Sequence, residues 1–253
     1  MWLKFFATPR LLLHQKKNPY KIKCKTIHFG HKNPQLEYKL NCHILDKVRE
    51  EKDLGVIIDD ELKFHQHTAS VSKKANQILG VIKRSFNTRD PRTISTLYKS
   101  MVRPHLEYGN AIWGPHFQAD ILKVESVQRR ATKLIHNLKE KPYQERLRIL
   151  ELPSLLYRRK RGDMILMYKI VKGLVRLESK ELITVWEESR TRGHNYKIFK
   201  EHAAKLPRIN NFSQRSVNDW NSLPIDVVNA PSIDTFKNRL DRLWSKHHYD
   251  IPF

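Results

Sequence analysis

The sequence predicts an α+β protein that is predominantly helical. A small antiparallel β section over about residues 21–58 precedes a helical bundle and a helical C-terminal extension. Three observations carry that prediction. Before residue 60, apolar residues recur with period two in short runs broken by turn residues. Beyond residue 66 they recur at helical spacing instead. The composition, 40% hydrophobic and 29% charged over 253 residues, suits a packed core and excludes wholesale disorder.

Residues 1–36 contain no acid, while Lys4, Arg10, Lys16, Lys17, Lys21, Lys23, Lys25 and Lys32 are all basic. Residues 1–18 read as a separate basic segment, with organelle targeting as the minor alternative to a stretch with no targeting role. From Tyr20, the residues Ile22, Cys24, Thr26 and His28 alternate with lysines, which predicts a strand ending at Gly30. Asn33-Pro34 is a turn signal. The runs 38–40 and 44–48 flank Asn41-Cys42-His43 as a hairpin would. The apolar run 54–58 has strand length and is closed by Asp59-Asp60.

The period then becomes helical. Val71, Ala75, Ile78, Leu79, Ile82 and Phe86 form one stripe along a helix over about 66–86, and Lys73, Lys74, Lys83 and Arg84 lie opposite. Pro91 opens the next helix, which holds Ile94, Leu97, Tyr98 and Met101 and is expected to stop before Pro104. Val124, Val127, Ala131, Leu134, Ile135 and Leu138 repeat the stripe over 119–138. A long helix over 155–171 follows Pro153. Helical signals weaken over 178–212, then return at 212–220 and at 233–244, the last with Ser232 as N-cap. The expected divisions are 1–18, a β section over 19–60, a helical region over 61–175 and an extension over 176–253.

A net charge of +22 is a statement about partners, and nucleic acid is the commonest polyanion. Two cysteines make neither a disulfide framework nor a four-thiolate zinc site, so an intracellular location, nuclear or cytoplasmic, is expected. No apolar run approaches the roughly 18 to 20 residues of a membrane span, so no membrane partner is expected. Neither GxGxxG nor GxxxxGK[ST] occurs, which disfavours a nucleotide-binding α/β enzyme.

Adjacent aspartates after a strand are what metal-dependent polymerases use to hold two cations, so Asp59-Asp60 is the first candidate for chemistry. The neighbouring acids Asp53 and Glu61 lack the spacing of a second strand, and the pair reads instead as a strand-ending turn. His65-Gln66-His67 lacks the i, i+4 spacing of a zinc helix, and Cys24, Cys42 and His43 leave a ligand missing, so no metal site is expected. No GxSxG elbow occurs either. No catalytic residue is assigned.

The cations are more informative. On the 119–138 helix, Lys123, Ser126, Arg130 and Lys133 share a polar face with Arg129 beside it, which suits a phosphate backbone. A purely solvated face is the competing reading. Arg158, Arg159, Lys160 and Arg161 are consecutive on a helix and sweep about 300° around it, so they do not all point to solvent. Arg161 falls on the apolar side and needs an internal acid or an external anion, with Asp163 and Glu151 as candidate partners.

Taken in order, several segments resemble the reverse transcriptases of non-LTR retrotransposons, of the jockey and chicken-repeat type. They are Lys23-Cys24-Lys25-Thr26-Ile27-His28-Phe29-Gly30, Glu51-Lys52-Asp53-Leu54-Gly55-Val56, and Ala75-Asn76-Gln77-Ile78-Leu79-Gly80. The stretch from Leu97 to Tyr108 follows, then Val127-Gln128-Arg129-Arg130-Ala131-Thr132-Lys133, Arg192-Gly193-His194 and Trp220-Asn221-Ser222-Leu223-Pro224. The resemblance covers about residues 18–244.

It implies the palm end, thumb and C-terminal extension of such a polymerase. In that family the catalytic aspartates sit upstream, two of them in a Tyr-x-Asp-Asp-like hairpin that this sequence lacks. Leu54, Gly55 and Val56 match the primer grip, and Asp59-Asp60 falls just past it. The expected role is therefore a truncated, catalytically inactive RNA-directed DNA polymerase, with Mg²⁺ needed only by the full-length enzyme. Its partner would be an RNA or DNA duplex held by backbone contacts. The expected contacts are Lys74, Lys83, Arg84, Arg129, Arg130 and Lys133, together with Arg158, Arg159, Lys160 and Arg161. The alternatives are a domesticated protein-interaction module or a relic with no selected activity.

Overall fold

The computed structural model describes residues 24–30, 33–40, 43–175, 182–186 and 193–252. The chain forms two compact units, Met1–His67 and Thr68–Phe253.

The smaller unit holds three two-stranded pairings. β1 (Lys25–Thr26) pairs in parallel with β4 (Asp46–Lys47), and β2 (Lys39–Leu40) pairs antiparallel with β3 (His43–Ile44). β5 (Glu50–Asp53) and β6 (Val56–Asp59) form an antiparallel hairpin with Asp53 opposite Val56. The β section is thus present, with three corrections. The parallel β1–β4 pair was not expected, because period-two patterning carries no information on strand direction. The expected first strand shortens to Lys25–Thr26, its residues 20–23 lying outside the described residues, as do Asn41 and Cys42 of the hairpin. Leu54 and Gly55 are not strand residues. With φ of 43° and 89° they form the two-residue hairpin turn, which needs positive φ at both centres.

The larger unit is helical. α1 (His65–Ser85) runs into it from the hairpin. α2 (Pro91–Leu97) is capped by Asp90, whose carboxylate accepts from the Thr93 N–H at 2.9 Å. The chain does not stop at Pro104 as expected. A π turn over Tyr98–Val102 leads directly into α3 (Arg103–Glu107), with the Arg103 N–H donating to the Tyr98 carbonyl. The widened turn moves aside the carbonyl that the proline ring would otherwise strike. α4 (Asn110–Trp113), α5 (Gln118–Lys133), a 3₁₀ turn at His136–Leu138 and α6 (Tyr143–Ile149) follow. α4 and α6 are too short to show a stripe in the sequence.

α7 (Leu155–Val171) matches its expected bounds, with the Ser154 hydroxyl accepting from the Tyr157 N–H. It is the axis of the unit and packs against α4, α5, α10 and α12. α8 (Leu206–Ile209) precedes α9 (Phe212–Arg215) and α10 (Val217–Asn221). The last two replace the single helix expected over 212–220, interrupted at Ser216, whose hydroxyl bonds back to the Phe212 carbonyl. α11 (Ile225–Val228) and α12 (Ile233–Leu243) end the helical order, and Ser232 caps α12 as the sequence predicts. Around α7 the Tyr168 ring stacks on Phe236 at 4.4 Å, and Phe236 lies 6.2 Å from Trp220. Phe212, Trp220 and Phe236 are wholly buried. Each contributes roughly 1.5–3 kcal/mol through burial.

The resembling motifs around 193 and 220 meet in space. The His194 Nε2–H donates to the Trp220 carbonyl at 3.2 Å, while its Nδ1 accepts from the Tyr196 N–H. The Trp220 indole donates to the Tyr196 carbonyl at 2.8 Å. Asn221 bonds both the N–H and the carbonyl of Ile198, at 2.9 and 2.8 Å. Gly193 has φ of 126°, a conformation that strains any residue with a Cβ, and the end of the flexible Lys197 side chain lies over it.

Candidate nucleic-acid interface

α5 buries Val124, Val127, Gln128 and Ala131 and turns Arg129, Arg130 and Lys133 outward. The Arg130 guanidinium donates to the Asn76 side-chain oxygen of α1 at 3.0 Å, an exposed hydrogen bond that links the two helices. Asn76 and Lys83 lie seven residues apart on one flank of α1, about 20° from each other, with Arg84 next to them. Lys83, Arg84, Arg129, Arg130 and Lys133 are exposed and form no ion pair among the described residues. Lys74 stands apart. It lies about 160° around the helix from Asn76. His105 has its pKa lowered by burial and, secondarily, by Lys74, which places that lysine on the α3 side.

Arg129 has a specific support. Its guanidinium carbon lies 4.9 Å from the Tyr143 ring centroid, and that of Arg146 lies 5.4 Å from the same ring. Arg146 is almost wholly buried and donates to the Arg129 carbonyl at 3.2 Å. Burial lowers its pKa, with Tyr143 opposing and Arg129 reinforcing that shift. The Tyr143 hydroxyl donates to Glu125 at 2.5 Å. Glu125 is raised by burial, with that hydrogen bond opposing. Arg146 was missed in the sequence, although it stands three residues after Tyr143 and four before Leu150, on the apolar side of α6.

The α7 run is arranged differently. Arg158 makes a two-pronged pair with Glu107 of α3, its terminal nitrogen at 2.9 Å from Oε2. Arg161 pairs in the same way with Asp241 of α12, at 2.5 and 2.7 Å, and Tyr157 also donates to Asp241. Burial resists ionisation of Asp241, but the bonds from Arg161 and Tyr157 outweigh it and lower its pKa. Arg159 is half-buried beside Glu125 and Asp163, and desolvation brings it down to about 10, so it stays charged at neutral pH. Lys160 is exposed, 3.8 Å from Asp219. The expected partners of Arg161 were wrong. Asp163 pairs with Arg215 at 2.9 Å through both oxygens, and Glu151 is exposed just beyond α6. Arg215 also reaches the carbonyls of Asn110, Ala111 and Asn210. No local pattern marks that pair, because its members are 52 residues apart in sequence.

The primer-grip-like residues sit at a hairpin tip, with Leu54 and Gly55 in the turn and Val56 buried. Asp59 acts within its own turn. Its carboxylate accepts from the N–H groups of Glu61, Lys63 and Phe64, at 3.2, 3.0 and 2.7 Å. Both of its oxygens are therefore occupied by backbone. Among the described residues no group of three His, Cys, Asp or Glu side chains is placed to hold a metal, and no helix is long and apolar enough to cross a membrane.

Over 87 residues, 33% of its length, the chain is 26% identical to the probable RNA-directed DNA polymerase from transposon X-element of Drosophila melanogaster. The likeness supports a retrotransposon, reverse-transcriptase-related origin. The retroelement-related stretch spans 10% of that relative. No family model and no solved structure matches the chain.

Proposed function

We propose that this chain is a thumb-like part of a non-LTR retroelement reverse transcriptase, of the jockey and chicken-repeat type, that holds a template–primer duplex without reading its sequence. The observation that carries the reading is the junction of α1 and α5 through Asn76 and Arg130. It sets Lys83, Arg84, Arg129, Arg130 and Lys133 along adjoining helix edges without internal acids. Such cations contact phosphates and release counterions, which gives affinity without base readout. Lys74, on the opposite flank of α1, lies outside this surface, and Lys160 is exposed beside Asp219 of α10. Arg158 and Arg161 serve the fold, since their guanidiniums already hold Glu107 and Asp241.

In this reading, chemistry belongs to a longer polymerase. The Asp59 carboxylate is engaged by three backbone N–H groups and is not aimed at a cation.

The test is the salt dependence of duplex binding. Changing Arg129 and Arg130 together to Ala is expected to lower the log–log slope by about 1.8 on B-form DNA, at about 0.9 per lost contact. An unchanged slope would show that this face is only solvated. Primer extension with Mg²⁺ is expected to give no incorporation, and incorporation abolished by Asp59→Asn would overturn the catalytic part of the reading.

A further inference from the structure

The strongest unassigned feature lies in the C-terminal extension. Val185 and Ile198 form an antiparallel bridge, and the flanking bonds run from the Trp186 N–H to the Lys197 carbonyl at 2.9 Å and from the Phe199 N–H to the Thr184 carbonyl at 2.8 Å. Side chains alternate across such a ribbon. One face therefore carries Ile183 and Ile198, both buried, and the other carries Thr184, Trp186, Lys197 and Phe199. On that outer face Trp186 and Phe199 are 40% and 46% exposed, their ring centroids 6.0 Å apart and their planes 32° from parallel. Five aromatic side chains are exposed among the described residues, and Trp186 and Phe199 are the two of them in ring contact with each other.

The ribbon is held in place before any ligand arrives. Asn221 grips both outward-facing backbone groups of Ile198, and the His194–Trp220–Tyr196 bonds fix the turn before it. Basic residues lie on it, and Glu201, which pairs with Arg208, follows directly after it. The described residues 182–186 and 193–200 contain Lys197 and Lys200 and no acid, and the Lys172 ammonium lies 4.0 Å from the Tyr196 ring centroid. Residues 187–192 are balanced in sequence, with Glu187 and Glu188 against Arg190 and Arg192.

We propose that Trp186 and Phe199 form a stacking platform for unpaired bases, so that the extension holds single-stranded nucleic acid separately from the duplex surface of α1 and α5. A pair of exposed rings in contact, tilted 32° from one another and with Lys197 on the same face, fits stacked bases and their phosphates. A protein ligand would gain little from the polar Thr184 and Lys197 that flank the rings on the same face. The choice of partner class rests on the nucleic-acid reading above, but the residues are different and separate variants test them.

The experiment measures binding of the full chain to labelled oligothymidylate and oligouridylate, and in parallel to a duplex, by fluorescence anisotropy. Trp186→Ala with Phe199→Ala is expected to weaken single-strand binding about 10- to 100-fold, the loss of one or two stacked bases. Duplex affinity is expected to stay within about twofold, and Trp186→Phe is expected to recover most of the single-strand affinity, because another ring still stacks. Arg129→Ala with Arg130→Ala should give the converse pattern. The proposal fails if the aromatic variant leaves single-strand binding unchanged, or if both ligands weaken together. It also fails if sedimentation shows that the unaltered chain dimerises and the aromatic variant does not, since the rings would then face a second copy. If duplex binding is absent from the unaltered chain while single-strand binding depends on the rings, the platform stands and the duplex reading falls.

Discussion

Helix α5 carries Arg129, Arg130 and Lys133, and helix α7 carries Arg158, Arg159, Lys160 and Arg161. In sequence the two runs look alike. On α5 the cations occupy one polar arc and remain exposed, steadied by an aromatic ring and an amide. On α7 the run wraps the helix, and the neighbouring elements supply Glu107 and Asp241 to meet it. A positive run therefore leaves its charges exposed together only when its angular spread is narrow. Where it is wide, the same charges must be answered inside the protein, because an unpaired charge next to the core is costly.

The comparison can be broken most sharply at the pair next to the run. Asp163→Ala leaves Arg215 without its carboxylate and Arg159 with Glu125 alone, and is expected to destabilise the larger unit by about 3–5 kcal/mol in urea denaturation. A loss below about 1 kcal/mol would mean that these cations are solvated after all.

His67 sharpens the contrast from the smaller unit, as a buried group that gives up its charge. Its Nδ1 accepts from the Ile57 N–H at 3.2 Å, and burial, with Lys52 adding to it, lowers its pKa to about 4. The unfolded chain binds the extra proton between about pH 6.5 and pH 4, whereas the folded chain does not. Stability is therefore full above pH 6.5 and falls as the pH drops, by about 2–3 kcal/mol at pH 4. His67→Gln should flatten that profile, followed by the unfolding of the hairpin through backbone hydrogen exchange.

A smaller effect is expected at the rim of the α7 network. Tyr157→Phe removes one donor to Asp241 and should cost about 1 kcal/mol, as Arg161 still holds that carboxylate. Smallest of all, Arg130→Ala on α5 should change stability by less than about 0.5 kcal/mol while still lowering the salt slope on duplex by about 0.9. A large stability loss there would place Arg130 with the α7 arginines.

Much of the helical part was legible because its signals are local. The stripes of α1 and α5, the bounds of α7 and the cap Ser232 of α12 lie within a few residues of what they organise. The β section was read less well. Leu54-Gly55 looks like the start of an apolar strand, yet its backbone turns, and the parallel β1–β4 pair joins segments about twenty residues apart. Among candidate site residues, the α5 face could be read by angle alone. Its support by Tyr143 and Arg146 could not, nor could the ribbon of Trp186 and Phe199, whose strands are single bridge residues.

The sequence by itself determined the charge, the helical majority and which face of each long helix is apolar, since these follow from composition and from periods of two and 3.6 residues. Tertiary structure alone decided which of the cations are paired and which are left exposed. That outcome depends on acids such as Glu107, Asp163 and Asp241 arriving from distant parts of the chain, and electrostatic pairing acts over ångströms of space rather than over positions in sequence.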